Sequence, residues 1–262
     1  MAMPELCQLA QRGDLPRIRA VLASSPCSDR LLDTRHRKSG DSVLHYAARH
    51  GQVAVLRYVC EDCGLSPETG NVDGKRPLHE AAQAGHTECV RYLVGRCNYA
   101  PDTPDSCGST PLMDAVRADH IDLVQLLVEQ HGADVQKLDI MGRQPLHLAA
   151  QAGCLEAIRY LFDEHGLPVD TPASGSGLTA LHFAAKEGQT NAVKLILRFG
   201  SSANTKDGKG RTALHMASGG QHAECVRVLL NNEAQDGPDC SGNTAEHLAR
   251  KQAVKEIFSQ LH

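Results

Sequence analysis

Six histidines, His45, His79, His147, His182, His215 and His247, recur at intervals of 34, 68, 35, 33 and 32 residues, and Met113 bisects the long interval. A period of this length restricts the chain to a repeat architecture, in which each unit is one supersecondary element that buries its apolar face only against its neighbours. Aligned on that position, the units read DSVLHYAARHG from Asp41, KRPLHEAAQAG from Lys75, STPLMDAVRAD from Ser109, RQPLHLAAQAG from Arg143, LTALHFAAKEG from Leu178 and RTALHMASGGQ from Arg211. A second block follows in each, as in TECVRYLV from Thr87, LEAIRYLF from Leu155 and TNAVKLIL from Thr190, with Leu and Val at helical spacing to fill the seam between neighbours. The pairs Ala47–Ala48, Ala81–Ala82, Ala149–Ala150 and Ala184–Ala185 let the first helices approach closely, because a methyl is the largest group that fits. A glycine directly precedes each unit (Gly40, Gly74, Gly108, Gly142, Gly177 and Gly210), which fits a turn requiring left-handed backbone angles.

Composition agrees with stacked small-residue helices. The chain has no Trp and only nine Phe plus Tyr, so a core of Ala, Leu and Val must replace the usual aromatic area. A net charge of −4 argues against direct nucleic-acid binding through phosphate neutralisation. No apolar run approaches the twenty residues of a membrane span, so no membrane contact is expected. The start, MAMPELCQLAQRGD, lacks the basic and apolar regions of a secretory signal. Ten cysteines then read as reduced thiols, and the expected location is the cytoplasm and nucleus.

Catalytic and metal chemistry finds little to stand on. Histidines on neighbouring units would be separated by about 10 Å, the spacing of packed helices, which is too far to share one metal. Each is expected instead to donate and accept hydrogen bonds where a loop enters a helix. His79–Glu80 begins like a zinc-protease motif, but position 83 is Gln. Cys60 and Cys63 form a lone CxxC with no second pair, expected to be a helix end with one buried and one exposed thiol. Gly175–Ala180 mimics a dinucleotide turn but follows no hydrophobic strand and lies inside the repeat register, so it reads as a loop tip. Tyr58, Tyr92 and Tyr160 recur in second blocks, which marks them as packing residues. No cofactor, metal or catalytic residue is expected, and the chain is not expected to be an enzyme.

The pattern resembles the ankyrin repeat, whose signature is T-P-L-H-x-A-A with G-H and then V-x-x-L-L. The resemblance implies an all-α solenoid of helix-turn-helix units with β-hairpin loops: six repeats over 37–239, N-terminal capping helices over 1–36 and a C-terminal cap over 240–262. Glu246 stands where the other units have Leu, as suits a solvent-facing terminal unit. In this arrangement the loop tips and first helices form the binding face. Candidate partner-binding residues are Lys75, Arg76, Arg143, Lys209 and Arg211 at the tips, a basic set suited to an acidic surface. Tyr46, Arg49, Glu80, Asp114, Arg117, Phe183, Lys186 and Met216 are the candidates on the first helices. Asp41 and Ser109 are further tip positions.

A closer likeness within the family is carried by AARHG from Ala47, KRPLHEAA from Lys75, CVRYL from Cys89, LMDA from Leu112, DHIDLVQLLVEQHGA from Asp119, LTALHFAAKEG from Leu178 and GQH from Gly220. That likeness implies a monomer whose partner is the catalytic domain of alanyl-tRNA synthetase and whose role is to limit serine mischarging. It also implies about three further repeats between the places matching Arg96 and Cys97, with the serine-accepting lysines among them, so no acceptor carries over to this chain. Two alternatives stand beside it: a scaffold for a signalling or transcription partner, and a covalent acceptor of activated serine on Lys186 or Lys209.

Overall fold

Proline at the first helical position, as at Pro77, Pro111 and Pro145, fixes a helical φ where an N–H would have no partner anyway, and it starts three of the first helices. The structure, a computed structural model, describes residues 5–23 and 34–260. Parts of the two caps, residues 1–4, 24–33 and 261–262, lie outside the described residues.

The chain divides into two compact units, Met1–Asp134 and Val135–His262. In the first, α1 (Glu5–Arg12) and α2 (Leu15–Ala23) form the N-terminal pair about a turn at Gly13. Three repeats follow: α3 (Val43–Arg49) with α4 (Val53–Arg57), α5 (Pro77–Gln83) with α6 (Thr87–Gly95), and α7 (Pro111–Arg117) with α8 (Ile121–Gln125). Helices α4 and α8 run on into wider π-type turns, Tyr58–Asp62 and Leu126–Gln130. The second unit holds α9 (Pro145–Ala152) with α10 (Leu155–Asp163), α11 (Ala180–Lys186) with α12 (Thr190–Arg198), and α13 (Ala213–Gly219) with α14 (Ala223–Leu230), ending in α15 (Gln252–Ser259).

Within each unit the first helices stack in order, α1 on α3 on α5 on α7, and α9 on α11 on α13. The four alanine pairs are completely buried, as their close approach requires. Loops reverse direction in tight turns, and among the described residues pairing of the extended type is confined to one bridge, Arg35 to Ser42. In the terminal repeat the motif Thr244–Ala249 forms a single turn rather than a helix. With Glu246 exposed in place of Leu, that segment has little apolar surface to anchor it.

Five of the six repeated histidines make the bonds expected of them. Nδ1 accepts the backbone N–H three residues earlier: from Ser42 to His45 (3.1 Å), Arg76 to His79 (3.2 Å), Gln144 to His147 (2.9 Å), Thr179 to His182 (3.2 Å) and Thr212 to His215 (3.1 Å). The proton therefore resides on Nε2, which donates to the loop leading into the next first-helix position. Its acceptors are the carbonyls of Lys75, Ser109, Thr171, Arg211 and Asn243, at 2.8–3.1 Å. Met113, fully buried, holds the equivalent place in α7, and there the Thr110 hydroxyl accepts the helix N–H at 3.4 Å.

A second recurring device closes the loops. The Oδ1 of Asn71, Asp105, Asp139, Asp207 and Asp239 accepts the N–H two and four residues on, at 2.8–3.0 Å. Adjacent tips then join through backbone bonds such as Ser174 N–H to the Gly142 carbonyl (3.0 Å). Gly142 has φ +70°, and a Cβ there would lie 2.5 Å from Ser174 Cβ and 2.6 Å from its nitrogen. Gly175 has φ +82° with open space around it. Gly175→Ala is thus expected to cost about 1 kcal/mol, the left-handed penalty alone, and Gly142→Ala about 2 kcal/mol or more. Urea unfolding of both variants checks the order.

Candidate functional site

The residue after each repeated histidine occupies one recurring, buried register of the first helices, and the residue one turn later flanks it. In the first unit these positions are Tyr46, Glu80 and Asp114, flanked by Arg49, Gln83 and Arg117. In the second they are Leu148, Phe183 and Met216, flanked by Gln151, Lys186 and Gly219. One face is therefore ionic and the other apolar.

The ionic face is internally paired. Arg49 Nε donates to Glu80 at 2.7 Å and its Nη2 to Asp41 at 3.0 Å, while Asn71 Nδ2 donates to the other Asp41 oxygen at 2.8 Å. Both carboxylates are buried, Asp41 at 3% and Glu80 at 5% exposure. Burial pushes the Asp41 carboxyl up, but the Asn71 bond and the Arg49 charge outweigh it and hold the group below the usual range. Arg49 is raised by its bond to Glu80 and by the charges of both carboxylates. Its guanidinium lies 5.4 Å from the centre of the Tyr46 ring, and burial with the Asp41 charge pushes that phenol up. Next along, Lys75 Nζ reaches Asp114 at 3.5 Å and Gln83 at 3.0 Å, and Arg117 bonds both Asp114 and the Ser109 hydroxyl. Arg76 donates through Nε to the Glu68 carbonyl at 3.0 Å.

In the second unit Arg143 is held by Asp139 at 2.7 Å and by Gln151 at 3.1 Å, and Arg211 by Asp207 at 2.8 Å. Burial raises the Asp207 carboxyl, and its bonds to Arg211 and to the loop N–H groups bring it below the ordinary value. Phe183 and Met216 are 7% and 8% exposed, about as enclosed as Tyr46 at 8%. Lys186 and Lys209 are exposed, Lys186 lying 3.9 Å from Glu187. The tip and first-helix bases thus divide by environment: Arg49, Lys75, Arg117, Arg143 and Arg211 sit against carboxylates, and Lys209 alone among the tip bases is exposed.

Sequence reading passed over Leu148, which shares the register of Tyr46, and over Asn71, Asp139 and Asp207, which set the charge of the tips. The signal for the last three was an Asp or Asn eight residues before the repeated position. The CxxC differs from expectation. Cys63 is buried, but Cys60 is half-buried rather than exposed, and burial together with the neighbouring Cys97 pushes its thiol up to about 12. Gly175 lies in a turn closed by the Ala173 N–H to the Leu178 carbonyl at 2.8 Å, one residue longer than the Asp-closed loops. Among the described residues no group of three His, Cys, Asp or Glu is arranged to hold a metal ion, and no helix is long and apolar enough to cross a membrane.

The family model for ankyrin repeats in three copies matches residues 6–102, 63–139, 97–173, 136–207 and 181–261. An 88-residue stretch, 33% of this chain, is 35% identical to Neurogenic locus notch homolog protein 1 of Xenopus tropicalis and covers 4% of that protein. A 56-residue stretch, 21% of this chain, is 38% identical to Rabankyrin-5 of Homo sapiens and covers 5% of it. The chain thus spans only a small fraction of these curated relatives. The ankyrin repeat domain of Bcl-3 superimposes with a TM-score of 0.65 at 26% identity, over 85% of this chain and all of that one. The human ASB11 ankyrin repeat domain does so with a TM-score of 0.74 at 24% identity, over 85% of this chain and 98% of that one, a likeness of fold. With matches running from residue 6 to residue 261, this chain belongs to the ankyrin repeat family, a family of protein-interaction modules that are in general not enzymes.

Proposed function

We propose that this protein-interaction scaffold is a monomeric, non-enzymatic partner of the alanyl-tRNA synthetase catalytic domain and helps prevent serine mischarging of tRNA(Ala), acting in the cytoplasm and nucleus. The observation that carries the reading is the set of segments resembling ankyrin repeat domain-containing protein 16, among them KRPLHEAA from Lys75, DHIDLVQLLVEQHGA from Asp119 and LTALHFAAKEG from Leu178. The second unit's first-helix face supports a docking role in physical terms: apolar Phe183 and Met216 are flanked by exposed Lys186, with Lys209 at the neighbouring tip. A fixed apolar strip with charges at its edge suits a partner that reads shape at the centre and charge at the rim.

Immobilised full-length chain is expected to retain recombinant alanyl-tRNA synthetase catalytic domain, and Lys186→Glu with Lys209→Glu to weaken retention about tenfold. No retention would overturn the proposal and leave a scaffold for another protein. Mass spectrometry after incubation with synthetase, serine and ATP is expected to find no seryl adduct on any lysine. An adduct on Lys186 or Lys209 would establish the covalent-acceptor reading instead.

A further inference from the structure

Three of the six second helices carry a charge pattern that the others lack, α4 having Ala54 in place of the acid and α8 Gln125 in place of the base. In three repeats an acid in the first turn pairs with the base three residues on: Glu88 with Arg91 at 3.6 Å, Glu156 with Arg159 at 3.6 Å, and Glu224 with Arg227 at 3.3 Å. In α12 the base is Lys194, but Asn191 stands where the acid belongs. One turn later α12 has Arg198, where α10 has Asp163 and α14 is followed by Asn231. Asn191, Lys194 and Arg198 are all exposed on one side of the helix. Together with Leu195, and with Leu155 and Arg159 of α10, they line a cleft of about 200 Å³ within the second unit.

Three bases around one cleft are not what helix stability calls for. Lys194 and Arg198 are like charges four residues apart, an arrangement that weakens a helix. The last-turn position of Arg198 is favourable to a cation, but that accounts for one base and not for the loss of the acid at 191. Glu156, the acid nearest in sequence to Arg159, is 67% exposed and 3.6 Å away, a contact too loose and too hydrated to occupy Arg159 fully.

We infer that this cleft is a site for a phosphorylated side chain, phosphoserine or phosphothreonine, presented by a partner protein. A phosphate monoester carries close to two negative charges and three acceptor oxygens, which matches two guanidinium groups, an ammonium and the Asn191 amide. A single carboxylate would leave most of that positive charge unanswered. A nucleic acid would need a basic track, whereas the next helix along returns to the self-paired Glu224–Arg227 pattern. The site is on the second helices and does not depend on which partner docks on the first-helix face.

The test uses the full chain and a fluorescent degenerate peptide pool with a central phosphoserine, against its unphosphorylated twin. The phosphorylated pool is expected to bind at least about tenfold tighter, with inorganic phosphate competing. Lys194→Glu and Arg198→Glu, and the milder Lys194→Gln and Arg198→Gln, should remove that preference while leaving the thermal unfolding midpoint in place. Arg91→Glu, at the matching position of another repeat, should preserve it. Equal binding of the two pools, a preference that survives all four substitutions at 194 and 198, or binding to vesicles containing phosphatidylinositol phosphates without any peptide preference would each overturn the proposal.

Discussion

As the pH falls below about 6.5 the chain is expected to lose stability. His45, His79, His147 and His182 are each held neutral chiefly by burial, which lowers their pKa below the ordinary 6.5. Their carbonyl acceptors and nearby carboxylates, Asp41 and Glu80 around His45 and Asp139 near His147, pull the other way without cancelling it. The unfolded chain takes up protons from about pH 6.5 downward, while the folded chain resists them. The stabilisation is therefore complete above pH 6.5 and is lost as the pH falls toward the folded values. Within that window each histidine costs up to about 1.4 kcal/mol per pH unit, so the two in each unit together approach about 3 kcal/mol per pH unit. A protonated ring would also have lost its Nδ1 lone pair, and with it the acceptor for the helix-entry N–H. Urea midpoints measured from pH 8 to 5 should stay level down to about 6.5 and then drop steeply. A flat profile through pH 5 would refute the account.

Arg49→Leu is expected to destabilise the first unit by about 3 kcal/mol, more than any exposed substitution. The loss comes less from the missing contacts than from what remains, two buried carboxylates without their shared cation. Glu80 depends on Arg49 most, because Asp41 keeps the Asn71 amide. Two further results follow from that cause. Without the Arg49 charge and hydrogen bond the Asp41 carboxyl must rise in pKa, so as the pH falls the variant should lose less stability through that group than the parent chain. Adding Glu80→Gln to Arg49→Leu should recover part of the loss, because a neutral amide is less costly to bury than an unpaired charge. Should the double variant prove weaker than the single one, the ion pair would not be the source of the effect.

Much of the architecture was legible because it is written in periodic positions. The His45-type residue, the preceding glycine and the paired alanines each answer a local geometric need that recurs every repeat. Tip charges were not legible in the same way. Arg143 and Arg211 look free in the sequence, yet each is held by an aspartate four residues earlier once the loop turns back. Lys75 meets Asp114 from 39 residues away, a pairing set by stacking of neighbouring repeats and not by any local pattern. The apolar row of the second unit was seen in part, since Phe183 and Met216 stand out and Leu148 hides among the core leucines. At the end of the solenoid the motif letters survive at Thr244–Ala249, but with Glu246 in place of Leu they make a turn and not a helix.

The aspartate of the loops does two things with two oxygens. At Asp139 and Asp207, Oδ1 fastens the backbone and Oδ2 detains the arginine of the same tip. At Asn71 the first oxygen does the same work, but an NH2 group replaces the second and bonds Asp41 instead, and the tip's own cation, Lys75, extends to the next repeat. Exchange of an oxygen for an amide nitrogen thus changes whether a fingertip keeps its charge or passes it along, with the bend itself untouched. Loops of this design can alter the charge they present by single Asp-to-Asn steps, without renegotiating how the repeats stack.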